Sequence, residues 1–369
     1  MSKATQQGGS RLLRPAALSL GCLLLAMGGM ARAQMAPRLT AASVADELDA
    51  ARAKLVGQGE TVRQLDMLAQ NLRATLAGHM DQPITALGDS DRGLVLRAHS
   101  AAAQAADFVD AAGGCRADET RAMAEALALS VRQLSQAPAE SKPMQATIDR
   151  VETPDHLPAF ALRASDKPIA LALAGAELSD PQCADPQVSI TDAGGGALPT
   201  EPRITGVLPS RVELAWSGTS TLKPGPYLLH VRPQRKAFLV GCTAQPEAVI
   251  AVRLVPPPKF TVDYVLEASC GRARPAKVAL GRGTLPPLDG YGVGTSQAID
   301  TSACVDPVAY RVSATVSYAD GATASAGPFE QSADANLTVG LPGSLSLTWD
   351  PAVRQLFARS GASTCKGVR

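Results

Sequence analysis

Residues 222–231, with the sequence LKPGPYLLHV, show the pattern that decides the fold of the larger part of this chain. The proline and glycine residues at the start of this stretch favour a turn, and the Tyr, Leu and Val residues after it favour a short strand. Similar units of a turn and a short strand recur from about residue 169 to near the C-terminus. This recurrence predicts two regions of β-structure behind a helical N-terminal part.

The first of these β regions is predicted to span residues 169–255. A glycine triplet at 194–196 and the prolines of 223–226 separate short apolar or alternating runs. These runs predict six strands, which are 169–173, 188–190, 212–216, 227–231, 237–240 and 249–255. So many short strands within one region indicate a β-sandwich, and Trp216 is expected to lie in its core.

A second β-sandwich is predicted for residues 259–369, after a stiff linker of three prolines at 256–258. Its predicted strands are 260–266, 278–280, 308–318, 322–326, 337–341 and 345–349. Asp320-Gly321, between two alternating runs, is typical of a two-residue hairpin turn. Trp349 is expected to be a core residue here, as Trp216 is in the first region.

The first β region resembles bacterial immunoglobulin-like modules of the IPT/TIG type. The resemblance rests on VSITD at 188–192 and on LKPGPYLLHV at 222–231. In such modules a run of the form L-x-P-G-x-Y-x-L-x-V commonly leads into a late strand. The resemblance covers about a quarter of the chain, implies a binding or spacing module, and brings no catalytic residue with it.

Residues 34–138 are predicted to be helical, with a coiled-coil period at the start. Alternating steps of four and three residues, as at the a and d positions of heptads, join Val44, Leu48, Ala51, Leu55, Gln58, Val62, Leu65, Ala69, Leu72 and Leu76. Thr40 or Ser43 is expected to cap this helix. Gly57 and Gly59 each cost about 1 kcal/mol relative to Ala inside a helix, so a bend or break is expected there. The heptads pack within the chain or support a homo-oligomer.

Two further helices are predicted before residue 138. Ser90 or Asp91 is expected to cap the first, which runs to about Ala112, and Asp118 to cap the second. Short turns favour antiparallel neighbours, so the expected object is a helical hairpin or a three-helix bundle. The next residues, 139–168, are predicted to be a linker because they contain Pro143, Pro154, Pro158 and Pro168.

Residues 1–33 are predicted to be a cleaved secretory signal peptide. Arg11 and Arg14 precede an apolar run at 15–30, and the small residues of Ala31-Arg32-Ala33 follow it. The expected location is therefore periplasmic or secreted. Two alternatives stay open, namely a retained anchor and a lipid attached to Cys22. No later apolar run is long enough to span a bilayer, so we expect no transmembrane segment after cleavage.

Six cysteines follow the predicted cleavage site, and no two of them have the C-x-x-C spacing of zinc or thioredoxin-like sites. In an exported chain an even number of cysteines indicates structural disulfides. The order of the regions favours pairing Cys183 with Cys242 and Cys270 with Cys304. Cys115 and Cys365 would then be bonded to each other or free.

Charge is unevenly distributed along the chain, although the formal net charge is only +1. Residues 34–155 hold 12 basic and 17 acidic residues, whereas residues 201–282 hold 12 basic and 5 acidic ones. A basic loop after one predicted strand contains Arg232, Arg235 and Lys236. These side chains are either solvated or contact an anion. The chain has only 2 Trp, 5 Tyr and 6 Phe, which argues against the stacked aromatics of a nucleic-acid site.

One motif resembles a catalytic block. Gly88-Asp89-Ser90 is similar to the nucleophile block of GDSL-type esterases, which also need a late Asp-x-x-His pair. None of the four histidines has Asp three residues before it. Residues 89–93 also lack the third Asp or Asn and the closing Glu of an EF-hand loop. We therefore expect no catalytic residue, no metal site and no cofactor.

The sequence as a whole predicts an exported, non-catalytic binding or scaffolding protein of the cell envelope. The expected partner is an envelope protein or a polysaccharide. Two alternatives are a structural subunit of a surface or secretion assembly and an extracellular esterase that uses Ser90.

Overall fold

The computed structural model describes residues 39–136, 146–237 and 241–369. The predicted signal peptide 1–33, with Cys22, and most of the predicted strand 237–240 lie outside these ranges. Within them, four α-helices are followed by many mostly antiparallel strands in several sheets. The helices are α1 (Ala41–Lys54), α2 (Gly59–Thr75), α3 (Asp89–Ala111) and α4 (Ala117–Ser135), with a short 3₁₀ turn at Ile84–Ala86.

The heptad pattern of the first segment is divided between α1 and α2. Gly57 adopts the left-handed backbone conformation between them, with φ of +79°, and this conformation ends the helical path. Ion pairs of Arg52 with Asp66 and of Arg73 with Asp49 then join the two helices side by side. Most apolar residues of the heptads are buried within the chain, so the structure gives no support to a coiled coil with another molecule.

Helix caps differ in part from the expectation. Thr40 caps α1 as expected, because its hydroxyl accepts a hydrogen bond from the Ser43 amide at 3.1 Å. The prediction that Ser90 or Asp91 caps α3 is wrong, since Gly88 is the N-cap and both residues lie in the first helical turn. Asp118 likewise is not a cap but lies in the first turn of α4, where its negative charge interacts favourably with the positive end of the helix dipole.

The predicted linker 139–168 is wrong for residues 147–163, which contain two strands. These are β1 (Thr147–Glu152) and β2 (Ala161–Arg163). Pro154 and Pro158 lie in the connection between the strands, where the missing amide hydrogen of proline removes no ladder bond. A count of prolines cannot distinguish such a connection from a linker.

The first β region thus begins at β1. Its other strands are β3 (Ile169–Ala176), β4 (Gln187–Asp192), β5 (Arg203–Leu208), β6 (Arg211–Trp216), β7 (Gly225–Arg232), β8 (Gln234–Ala237), β9 (Gly241–Ala244) and β10 (Ala248–Val255). Two sheets, ordered β1-β3-β6-β5 and β2-β10-β7-β4, share one hydrophobic core, and β8 and β9 form a separate hairpin. Trp216 is fully buried in that core.

The second β region follows the three prolines. Its strands are β11 (Lys259–Cys270), β12 (Ala276–Thr284), β13 (Leu288–Asp289), β14 (Gly294–Ala298), β15 (Pro307–Tyr318), β16 (Thr323–Ser332), β17 (Leu337–Leu341), β18 (Leu345–Asp350) and β19 (Gln355–Ser360). Sheets ordered β12-β11-β15-β16 and β14-β19-β18-β17 share a second core, and β13 pairs with β11. Trp349 is fully buried there.

Helices α3 and α4 pack directly on the first β region. The Ser100 hydroxyl and the Gln104 amide of α3 both donate to the carbonyl of Ile148 in β1, at 2.9 and 3.1 Å. The Ser130 hydroxyl of α4 accepts from the Ala251 amide in β10 at 2.7 Å. All three side chains are buried, so each bond satisfies a backbone group that would otherwise lie unpaired in an apolar interface.

The last residues of the chain, 361–369, leave the second β region and return to β2. We call them the C-terminal tail. The amides of Phe160 and Ala161 donate to the Gly367 carbonyl at 2.9 and 3.1 Å, and the Arg369 amide donates to the Ala161 carbonyl at 2.9 Å. The predicted second module, 259–369, is therefore too long, because its last residues belong to the sheet of the first region.

Three cysteine pairs lie at bonding distance in the described part of the chain. They are Cys115–Cys365, Cys183–Cys242 and Cys270–Cys304, the last two being the pairs that the sequence favours. The first pair ties the turn before α4 to the C-terminal tail across a sequence separation of 250 residues. Cys365 is completely buried.

Replacing Gly175 by Ala should destabilise the first β region. A Cβ atom at this position of β3 would overlap the Thr147 carbonyl oxygen and lie 2.9 Å from the Cα atom of Ile148. We expect the free energy of unfolding to fall by about 2 kcal/mol, measured by denaturant titration. Gly340→Ala is the matched control, because nothing lies within 4 Å of a Cβ in β17. Equal effects of the two changes would contradict the close contact of β1 with β3.

Removing the Cys115–Cys365 bond should release the C-terminal tail. In Cys115→Ser/Cys365→Ser we expect a loss of about 2 to 5 kcal/mol in unfolding free energy and rapid trimming by a carboxypeptidase. Cys270→Ser/Cys304→Ser should lose stability without exposing the tail to the protease. A tail that stays resistant in the first variant would show that the backbone bonds to β2 hold it without the disulfide.

Candidate functional site

A cleft of about 380 Å³ lies where α4, both β regions and the C-terminal tail meet. We call it the junction cleft. Its walls are the first two turns of α4, the end of β10, the three prolines 256–258 and the hairpin turn at 319–320. Val368 of the tail also lines it. Helix α4, both β regions and the C-terminal tail therefore contribute to this one concave surface.

Glu119 is the central buried charge of the junction cleft, with only 8% of its surface exposed. Its carboxylate accepts from Arg163 of β2 at 2.9 Å and from the Tyr291 hydroxyl at 3.3 Å. The Arg163 guanidinium also lies 4.5 Å from the centre of the Tyr291 ring. These contacts join α4, the first β region and the second β region through a single carboxylate.

Arg116 makes a second set of contacts beside the first. It pairs with Asp320 at 3.0 Å and with Asp118 at 3.1 Å, and lies 4.3 Å from the centre of the Tyr318 ring. Burial opposes the charge on Arg116, but the hydrogen bond with Asp320 and the nearby carboxylates together raise its pKa. The N-terminus of α4 is thus attached to the hairpin between β15 and β16.

Burial also acts on Asp320, where it favours the protonated form. The Ala322 amide and the Arg116 guanidinium act in the other direction and outweigh it, so the pKa of Asp320 lies below its ordinary value. The charged form of this carboxylate is therefore stabilised in the folded protein, and it holds the Arg116 contact at neutral pH.

A second hollow, of about 600 Å³, continues from the junction cleft along α4 to the start of α2. Arg121 and Glu125 line both hollows. Glu125 pairs with Arg253 of β10. The floor of the second hollow consists mainly of small residues, including Gly57, Ala117 and Ala124.

The charged residues of the junction cleft form a network of ion pairs with one another. Three of its four arginines contact carboxylates, and Glu119 is held from two sides. In the ranges that the structure describes, His, Cys, Asp and Glu side chains nowhere gather in groups of three at metal-binding distance. The geometry fits a site that fixes the orientation of three parts of the chain.

The three cations that the sequence marked as an anion contact lie elsewhere, around β7 and β8. Arg232 pairs with Glu247 at 2.7 Å and Arg235 pairs with Glu177. The Lys236 amide donates to Asp180 at 3.1 Å. None of the three lines the junction cleft. The two guanidinium groups are engaged by carboxylates of the chain itself, which leaves less of their charge for a ligand.

Ser90, the candidate esterase nucleophile, is exposed in the first turn of α3. Later in the same helix, His99 contacts Glu47 of α1, with 2.7 Å between its Nδ1 atom and the carboxylate. His99 therefore belongs to the contact between α1 and α3.

The residues of the junction cleft were not identified from the sequence. Arg163 lies in the predicted linker and Asp320 in the predicted hairpin turn, while Arg116 and Glu119 lie close to the predicted cap residue Asp118. Arg163 and Glu119 are 44 residues apart, and Tyr291 is 172 residues from Glu119. No local pattern predicts such contacts, although Glu119 directly following Asp118 at a helix start was a weak signal.

No helix within the described residues is long and apolar enough to cross a membrane.

Comparisons with known proteins leave the family of this chain open. No protein-family model matches it, and no curated protein is significantly similar. One similar solved structure is a Bacteroides vulgatus protein described as a bacterial DNA-binding protein, with 19% identity and a TM-score of 0.24. The match covers 31% of this chain and 49% of that one, so the chain spans about half of its length.

A second similar structure is the titin Ig tandem A164-A165, with 11% identity and a TM-score of 0.18. This match covers 45% of the present chain and 88% of the titin chain. Since both TM-scores are below 0.5, neither likeness carries an argument about function, and the IPT/TIG resemblance stays a prediction.

Replacing Arg163 by Met should destabilise the junction. The change keeps an apolar stem but leaves Glu119 buried without its cation, which should cost about 3 to 5 kcal/mol in unfolding free energy. Arg52→Met is the control, because Arg52 is 42% exposed and its ion pairs are worth about 1 kcal/mol or less. Similar losses in both variants, measured by denaturant titration, would contradict a special role for the Arg163–Glu119 pair.

Replacing Asp320 by Asn should lower stability at neutral pH and have no effect in acid. Because the folded protein lowers the pKa of Asp320, its charge contributes stability above the unfolded pKa, and this contribution is lost as pH falls through the folded pKa. The difference in unfolding free energy from wild type should therefore shrink below about pH 4. A difference that stays constant from neutral pH to acid would contradict the assignment.

Proposed function

We propose that this chain is an exported, non-catalytic binding or scaffolding protein of the cell envelope. In this proposal the two β regions are immunoglobulin-like sandwich modules that present loops to a partner. The helical part and the C-terminal tail hold the modules in a fixed relative orientation. The partner is an envelope protein or a polysaccharide.

The observation that carries the proposal is that the C-terminal tail closes the chain by returning to the first β region beside the junction cleft. The C-terminal tail bonds to β2, and Cys365 bonds to Cys115 before α4. Around this closure, Glu119 and Arg116 connect α4 with both β regions. Fixing the parts in advance reduces the entropy lost on binding, which is what a scaffold or a binding protein gains from rigidity.

The disulfides support the exported location. Disulfides persist in oxidising compartments such as the periplasm and the cell exterior, and three pairs lie at bonding distance in the described chain. Two of them, Cys183–Cys242 and Cys270–Cys304, lie one in each β region. They fix loops of the modules, as surfaces that contact partners require.

The test is capture from detergent-solubilised envelope proteins and from purified cell-wall polymers, with the oxidised chain from Gln34 as bait. We expect one defined protein or polymer to bind wild type, and Cys115→Ser/Cys365→Ser to bind it more weakly. Retention of neither by wild type would refute the binding role. Esterase activity that Ser90→Ala abolishes would refute the non-catalytic assignment.

One observation favours the alternative of a structural subunit in a surface or secretion assembly. Strand β16 is the edge of its sheet, and most of its residues are exposed. An unpaired edge can accept a strand from another subunit. Crosslinking in intact cells separates the two functions, because an assembly subunit should give a ladder of defined large complexes and an isolated binding protein should not.

A further inference from the structure

The Cys270–Cys304 disulfide joins two loops at one end of the second β region. One loop connects β11 with β12, and the other leads into β15. The Cα atoms of the two cysteines are 5.7 Å apart, and the Gly271 amide donates to the Asp306 carbonyl at 2.9 Å. The two loops therefore form one fixed surface, which we call the β11–β12 tip.

The β11–β12 tip is strongly cationic along the connection between β11 and β12 and at the start of β12. Residues 271–277 carry Arg272, Arg274 and Lys277 and no acidic residue, and all three cations are exposed. Arg272 is 85% exposed and has a long contact of 3.6 Å with Asp306. Arg274 and Lys277 have no acidic partner among the described residues. Asp300 lies on the other loop, and its pKa is lowered mainly by hydrogen bonds from Ser302 and to a smaller extent by the charge of Arg354.

The same tip exposes an aliphatic side chain. Val305 follows Cys304 directly and is 94% exposed, which makes it the most exposed of the large hydrophobic residues described. Val353, 55% exposed, lies on the neighbouring loop, where the Arg354 carbonyl accepts from the Ile299 amide at 3.0 Å. Apolar side chains held in water beside exposed cations are the combination that an anionic membrane surface binds.

We infer that the β11–β12 tip docks on the headgroup surface of an anionic phospholipid membrane. The cations Arg272, Arg274 and Lys277 contact lipid phosphates, and Val305 enters the boundary between headgroups and acyl chains. A hydrated acidic polysaccharide would use the cations but would leave Val305 in water, so the exposed valine favours the lipid surface. The inference adds a lipid surface to the protein or polysaccharide partner of the proposed envelope-binding role, and it rests on that role.

The experiment is co-sedimentation of the oxidised chain from Gln34 with vesicles. One set is phosphatidylcholine alone and the other is phosphatidylcholine mixed with phosphatidylglycerol. We expect binding to the mixed vesicles only, weakened by added salt. A basic side chain near an anionic surface is worth about 1 kcal/mol, so Arg274→Gln/Lys277→Gln should weaken partitioning by about thirty-fold.

The matched control is Arg203→Gln/Lys223→Gln, which removes the same charge from exposed positions in the first β region. It should leave vesicle binding within about two-fold of wild type, since these cations lie outside the tip. Val305→Ser should weaken binding several-fold without any change in charge. Because these residues are exposed, all variants should keep the thermal stability of wild type. Thermal unfolding of each variant is measured as a control.

Three outcomes would overturn the inference. They are no binding to mixed vesicles, equal losses in the tip and control variants, and tighter binding to an acidic polysaccharide that Val305→Ser does not alter. Each can occur while capture of a solubilised envelope protein still succeeds, and in that case only the lipid partner is refuted. Lipid binding without any captured protein or polymer would support the membrane contact of the tip and would refute the protein or polysaccharide partner of the proposed function.

Discussion

The return of the C-terminal tail to β2 is the contact on which the arrangement of this molecule depends. The tail comes from the end of the second β region but supplies backbone partners to Phe160 and Ala161 in the first. At the same place Cys365 is bonded to Cys115. A carbon added at Gly367 would overlap the end of the buried Met123 side chain, so a larger residue here would require that side chain to move. The chain is thereby closed across all three of its parts.

The charges at the junction follow from this closure. Once the tail has brought the second β region beside α4, Glu119 and Arg163 are removed from water and have to satisfy one another. A buried pair of this kind adds little net stability over an apolar contact, but it makes other arrangements costly, because each would leave a charge unpaired. We interpret the network as specifying orientation, while apolar packing in the two cores and of α3 and α4 on the first β region contributes stability.

Local patterns predicted much of the secondary structure. Trp216 and Trp349 were expected in two cores and are buried there, and the break at Gly57 follows from its backbone freedom. Strands β1 and β2 were missed because nearby prolines obscured short apolar runs. Ser100, Gln104 and Ser130 were not recognised as strand partners, since a polar residue in an Ala-rich helix has the same local signature when it faces water. The junction cleft depends on contacts between distant residues, which spacing cannot reveal.

The central claim is that the helical part, both β regions and the tail form one cooperative body. Differential scanning calorimetry of the oxidised chain from Gln34 tests it most directly. The account predicts a single transition whose calorimetric and van't Hoff enthalpies agree. A separate transition of either the helical part or the second β region, well below the main one, would contradict it.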